Sequence, residues 1–205
     1  MKKLPIIRKF VVYILYVLFF CCFQVSFPEI LSLNGQIADL MFVFTVLVAY
    51  MFGFYDGMVV AFFVGIIRDY FAGPSVTGLD GKASPALGIG LLVMVLAAAV
   101  GSSFFTRRMH RNTAFAFLAI MATTAIYKVV GYIVIKTWAL FVPSATYSVT
   151  VGRMIVRSLA PQLLLNLIVT VPIYLLLRFV GPYKKGINPK LIDEHSDGGN
   201  TWLTL

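Results

Sequence analysis

The sequence predicts an all-α polytopic membrane protein, a bundle of six helices. Three observations predict it. The 205 residues are 60% apolar and only 12% charged, with a mean hydropathy of +0.92, whereas a soluble domain carries about 25% charge. Apolar runs of about 20 residues, enough to cross a bilayer, recur along the chain. The basic residues gather at alternate connections between those runs. Six spans with short connections nearly exhaust this length and leave no room for a soluble catalytic domain.

The first run, roughly 9–27, follows Lys2, Lys3, Arg8 and Lys9 and stops at Phe27-Pro28-Glu29. No small-residue cleavage site follows it, so it reads as an uncleaved first helix rather than a leader. The second run, 37–53, opens beside Asp39. Gly53-Phe54-Tyr55-Asp56-Gly57 forms a tight hairpin into the third run, 56–72, which stops at Gly73-Pro74. A loop to Pro85 leads to the fourth run, 86–105, and Thr106 to Arg111 separate it from the fifth, 113–137. The sixth, 153–180, contains Pro161 and Pro172, which predict a kink or break. Residues 1–182 are expected to form one transmembrane domain, and 183–205 a polar tail.

Charge sets the orientation. One side of the membrane receives Lys2, Lys3, Arg8, Lys9, Arg107, Arg108, Arg111, Lys184, Lys185 and Lys190; the other receives Lys82 and Arg153. Basic segments stay inside, so both termini are expected in the cytoplasm, with an even number of spans. The net charge of +9 is explained by these helix ends and by anionic headgroups, and needs no nucleic acid. Cys21 and Cys22 are adjacent in an apolar run and read as small fillers. The chain has no metal-ligand spacing, Ser-His-Asp set or Walker A sequence. No enzymatic activity and no cofactor are expected.

The candidate functional residues are charges at membrane depth, which cost roughly 2.5–3.5 kcal/mol each at a helix centre and so usually face an interior, a cavity or a partner. At 1.5 Å per residue, Asp69 lies about 20 Å up the third run and Lys128 about 24 Å up the fifth. Arg157 lies about 6 Å below the outer boundary. Asp39, Arg68, Asp69, Lys128 and Arg157 therefore share the outer leaflet. Asp69 is expected to meet Lys128 or Arg157 inside the bundle. Such a cluster is either a set of structural ion pairs with snorkelling heads or a polar pocket opening outward. A proton relay is disfavoured, because the inner half offers no stepped acids. Gly53, Gly57, Ala61, Gly65 and Gly73 form a small-residue stripe that leads to Asp69. It suits helix packing within one protomer better than a homodimer, which it also permits.

Together these features resemble the rod shape-determining protein MreD family. The matching residues are Phe27-Pro28, Ala38-Asp39-Leu40, Gly53 with Gly57, Gly65-x-x-x-Asp69, and Gly73-Pro74 followed by Gly78-Leu79. The Arg107-Arg108 loop and the Pro161, Asn166, Pro172 pattern match as well, so the resemblance covers roughly residues 10–180. Ala38 stands where the family has proline, and the loop from Val76 to Pro85 is longer than usual. The resemblance implies a multi-pass protein of the bacterial plasma membrane that binds MreC. It would act beside RodA, a class B penicillin-binding protein and the MreB filament in cell elongation and peptidoglycan synthesis. It carries over Asp39, Gly65, Asp69, Gly73 and Pro74. It also implies a fold similar to that of the substrate-binding S subunits of energy-coupling-factor vitamin transporters, which supplies the alternative function. Residues 1–27 hold no alanine, whereas those subunits dock their coupling protein through an alanine stripe on the first helix.

Overall fold

The computed structural model describes residues 4–26, 32–72, 75–77, 83–85, 88–104, 112–141 and 150–183. Six helices lie among them: α1 (Leu4–Val25), α2 (Leu40–Phe52), α3 (Phe54–Ala72), α4 (Ile89–Ser103), α5 (Thr113–Phe141) and α6 (Val151–Phe179). Each falls within a few residues of an apolar run. Two short antiparallel hairpins join them, β1 (Ser32–Leu33) with β2 (Gln36–Ile37), and β3 (Ser75–Thr77) with β4 (Ala83–Pro85).

Among the described residues, three helices are long and apolar enough to cross a membrane: α1 over Ile7–Gln24, α5 over Thr113–Ile133, and α6. The apolar helices α2 and α4 are shorter, at 13 and 15 residues. The six helices match the expected number, but α2 is shorter than its run of 37–53, and its surroundings show what suits it. Every one of its residues is buried, and it packs against each of the other five helices. A helix that is apolar all round is stable only when enclosed on every side. The bundle is built around α2.

Local sequence fixes both ends of α2. Asn34 and Gly35 have φ of 52° and 75°, as the two central positions of a type I′ turn require. That turn folds β1 onto β2, so residues 36–39 run extended and the helix starts at Leu40 instead of 37. At the other end Gly53, with φ 95°, turns the chain into α3 within a single residue.

The small-residue stripe packs inside the protomer. A Cβ on Gly57 would lie 2.4 Å from Ala49 Cβ, and one on Gly65 would lie 2.6 Å from Leu91 Cα. Ala61 is fully buried. These positions therefore press α3 against α2 and α4. Gly73 and Pro74 lie outside the described residues.

Of the kink or break expected in the last run, the structure shows a local irregularity and no break. Helix α6 continues through both prolines, with a π-helical turn at Ile155–Leu159 just before Pro161. Pro161 has no N–H to give, and Ala160 N–H reaches back to Ile155 O. The wider turn absorbs the proline without breaking the helix.

Candidate functional site

Residues 36–39 are non-helical backbone beside a buried helix start, so their polar groups need partners from elsewhere. Side-chain amides supply them. Gln24 of α1 donates to Ala38 O (3.0 Å) and accepts from Leu40 N–H (2.7 Å). Gln162 of α6 donates to Ile37 O (2.9 Å) and to Asn166 Oδ1 (3.1 Å). Asn166 accepts from Asp39 N–H (3.0 Å) and donates to Thr124 Oγ1 (3.1 Å). The segment is thereby fixed with Asp39 as the N-cap of α2, its Oδ1 accepting from Phe42 N–H (3.1 Å).

The other oxygen of Asp39 faces the charged residues. Its Oδ2 accepts from Arg68 Nη1 at 2.6 Å. Arg68 Nη2 donates to Tyr127 Oη (3.3 Å). Lys128, next to Tyr127 on α5, donates through Nζ to Gln36 Oε1 (2.8 Å) and lies 5.7 Å from the centre of the Tyr127 ring. These groups surround a half-open cavity of about 250 Å³, with Met41, Ile67 and Phe71 as apolar wall. Two cations, Arg68 and Lys128, face one carboxylate. Among the described residues no acid pairs with Lys128.

Asp69 belongs to a different structure. The expectation that it meets Lys128 or Arg157 is corrected. It is 2% exposed and accepts from the backbone N–H groups of Gly90 (2.6 Å), Gly88 (2.7 Å) and Leu91 (3.2 Å). The cause lies in α4. Its N-cap is Gly88, which has no side chain to cap with, while the first turn of a helix presents unpaired N–H groups and a positive dipole end. Gly90 makes the approach close, since a Cβ there would lie 2.5 Å from Asp69 Oδ1. Asp69 therefore caps α4 from α3. Arg157 also leaves the cluster: it is exposed, on the π-helical turn of α6. Of the five charges expected to share the outer leaflet, Asp39, Arg68 and Lys128 line the cavity.

Charge alone did not reveal Gln24, Gln36, Tyr127, Gln162 and Asn166. Their signal was uncharged polarity inside or beside apolar runs. A second polar site lies at the opposite end of the bundle, where the sequence suggested no buried acid. Asp56 is 2% exposed and receives Tyr13 Oη at 2.8 Å, together with Lys9 Nζ and Tyr183 Oη. The close turn at Gly53 and Gly57 draws Asp56 under α1 instead of leaving it in a solvated loop. Tyr183 thus packs on the bundle and is not part of a free tail; residues 184–205 lie outside the described residues. Burial, and then its hydrogen bond to Asp56, raise the Tyr183 phenol above its ordinary range.

No family model matches the chain, and neither a curated protein nor a solved structure matches it.

Proposed function

We propose that this chain is a non-enzymatic membrane scaffold of the bacterial cell-elongation complex, the role implied by its resemblance to MreD. In this reading its fold is similar to that of energy-coupling-factor S subunits. Both termini are cytoplasmic, and the end carrying Asp39 faces outward. The partner is MreC, whose membrane-proximal helix docks over the polar cavity; RodA and a class B penicillin-binding protein are reached directly or through MreC. MreB meets the cytoplasmic end.

The observation that carries the proposal is the cavity of Asp39, Arg68 and Lys128 at one end of the bundle. Charges at this depth are maintained where a partner or an interior needs them. The vitamin-transport alternative has less support, since ligand pockets usually measure about 300–1,000 Å³ and this cavity is smaller.

Co-purification with MreC tests the proposal. Asp39→Asn and Lys128→Gln should lower MreC recovery at least about fivefold, roughly 1 kcal/mol, while the protein still accumulates. Unchanged recovery from normally accumulating variants would rule out docking at the cavity. A vitamin mass on the purified protein in native mass spectrometry would favour the transporter alternative.

A further inference from the structure

We propose that the cavity at the Asp39 end holds a phosphate group with Lys128 as its counter-ion, and that the lipid carrying this phosphate lays its chain in the apolar groove between α4 and α5. The inference stands on cavity and groove alone and does not depend on MreC.

Charge is the first argument. Both oxygens of Asp39 are engaged, one by Phe42 N–H and one by Arg68. Lys128 uses one of its three donors on Gln36, and among the described residues the charges that act on it are this engaged carboxylate and another cation, Arg68. A cation held away from bulk water without an acid favours an incoming anion. The amide of Gln36 fixes the ammonium beside the cavity, so it does not snorkel freely towards an interface.

The second argument is the shape of what adjoins the cavity. Tyr127 lines the polar cavity and also a groove of about 90 Å³ bounded by Val93, Leu96 and Val100 of α4 and by Ile126, Val130 and Gly131 of α5. The residues from Val93 to Val100 give it a length of about 10 Å at 1.5 Å per residue. A cationic cavity beside an apolar groove, with one aromatic ring as the common wall, matches an amphiphile with an anionic head.

Native mass spectrometry of the purified full chain tests this, with phosphatidylglycerol, phosphatidylcholine and inorganic phosphate as probes. Wild type should prefer phosphatidylglycerol over phosphatidylcholine by about tenfold. Lys128→Gln should lose that preference, Lys128→Arg should keep it, and Lys136→Gln, on the same helix but outside the cavity, should leave it unchanged. Gly131→Leu should weaken lipid binding without affecting inorganic phosphate, because a side chain there meets no atom within 4 Å and enters the groove. Lys128-dependent binding of inorganic phosphate without lipid preference would support the phosphate site and overturn the groove. A wild type with no preference and no phosphate binding overturns both, whether or not the variants fold.

Discussion

Arg68 and Asp69 are neighbours on α3 that serve different helices: Arg68 holds Asp39 at the start of α2, and Asp69 caps the start of α4. Successive helical residues point about 100° apart, so an adjacent pair of opposite charges can reach two neighbours at once. Each charge finds its partner across a helix boundary. The two acids at this end, Asp39 and Asp69, both stand at helix N-termini, where the positive dipole end favours a carboxylate.

Asp69 is therefore a stability residue, and its loss should destabilise α4. Asp69→Ala strips the acceptor from three backbone N–H groups, at a cost of about 3 kcal/mol. Asp69→Asn keeps one oxygen but directs an amide N–H at a donor, and should recover only part of the loss. Gly90→Ala should mimic Asp69→Ala, because its methyl would occupy the carboxylate's position. Thermal unfolding in detergent measures all three. An Asp69→Ala protein as stable as wild type would exclude the capping role.

Asp39 and Arg68 should behave as a coupled pair, with a fixed order of severity. Asp39→Asn leaves Arg68 and Lys128 facing each other without a carboxylate, whereas Arg68→Met leaves Asp39 with its N-cap bond and Lys128 nearby. Removing one partner of a desolvated pair costs about 3 kcal/mol or more; this pair is partly exposed, so about 2 kcal/mol is expected for Asp39→Asn and less for Arg68→Met. The double variant should be better than the sum of the singles by at least about 1 kcal/mol. A double-mutant thermal-stability cycle measures the coupling, and strict additivity would contradict the pairing.

The helices were legible because lipid-soluble runs leave little else to build, and their rise of 1.5 Å per residue led to one expected level for Asp39, Arg68, Asp69, Lys128 and Arg157, of which Arg157 leaves the cluster. Their pairing was not legible. It depended on which helix start lacked its own cap, and that follows from Gly88, a residue without chemistry of its own. The Asn34-Gly35 pair is a hairpin signal that a reading by apolar runs passed over, and with it the extended segment that demands Gln24, Gln162 and Asn166. Asp56 was hidden because a hairpin acid looks solvated until Gly57 is seen to sit against Ala49. Hydropathy records how deep a residue lies but not the direction in which it points.

The glycines of α3 and α5 should respond oppositely to the same added methyl. Gly65→Ala drives Cβ to 2.6 Å from the Leu91 backbone, which cannot move aside as a flexible side chain could. Overpacking of this kind costs about 1–3 kcal/mol. Gly131→Ala meets no atom within 4 Å and should fold as wild type. Expression level and elution profile of the two variants separate the cases; equal behaviour would mean that the α3–α4 contact is looser than described.

Asp56 should act as a latch joining α1 and the residues just after α6 to the α2–α3 turn. It takes Lys9 and Tyr13 from α1, and it takes Tyr183 just beyond α6, where the Tyr183 ring also lies 5.6 Å from that of Phe52. Asp56→Asn removes the charge that draws these donors together, so Tyr183 should detach and trypsin should cut at Lys184 and Lys185 several times faster. Tyr183→Phe keeps the ring contact and should accelerate cutting less. Burial and Asp56 raise the Tyr183 phenol, so its contribution is complete below the ordinary value of about 10 and is lost only as pH rises through the higher folded value. Protection should then be the same at pH of about 8 and about 9.5, both below the ordinary phenol value. Faster cutting at the higher of these, after correction for trypsin's own pH dependence, would show that Tyr183 titrates in solvent and that the latch does not hold it.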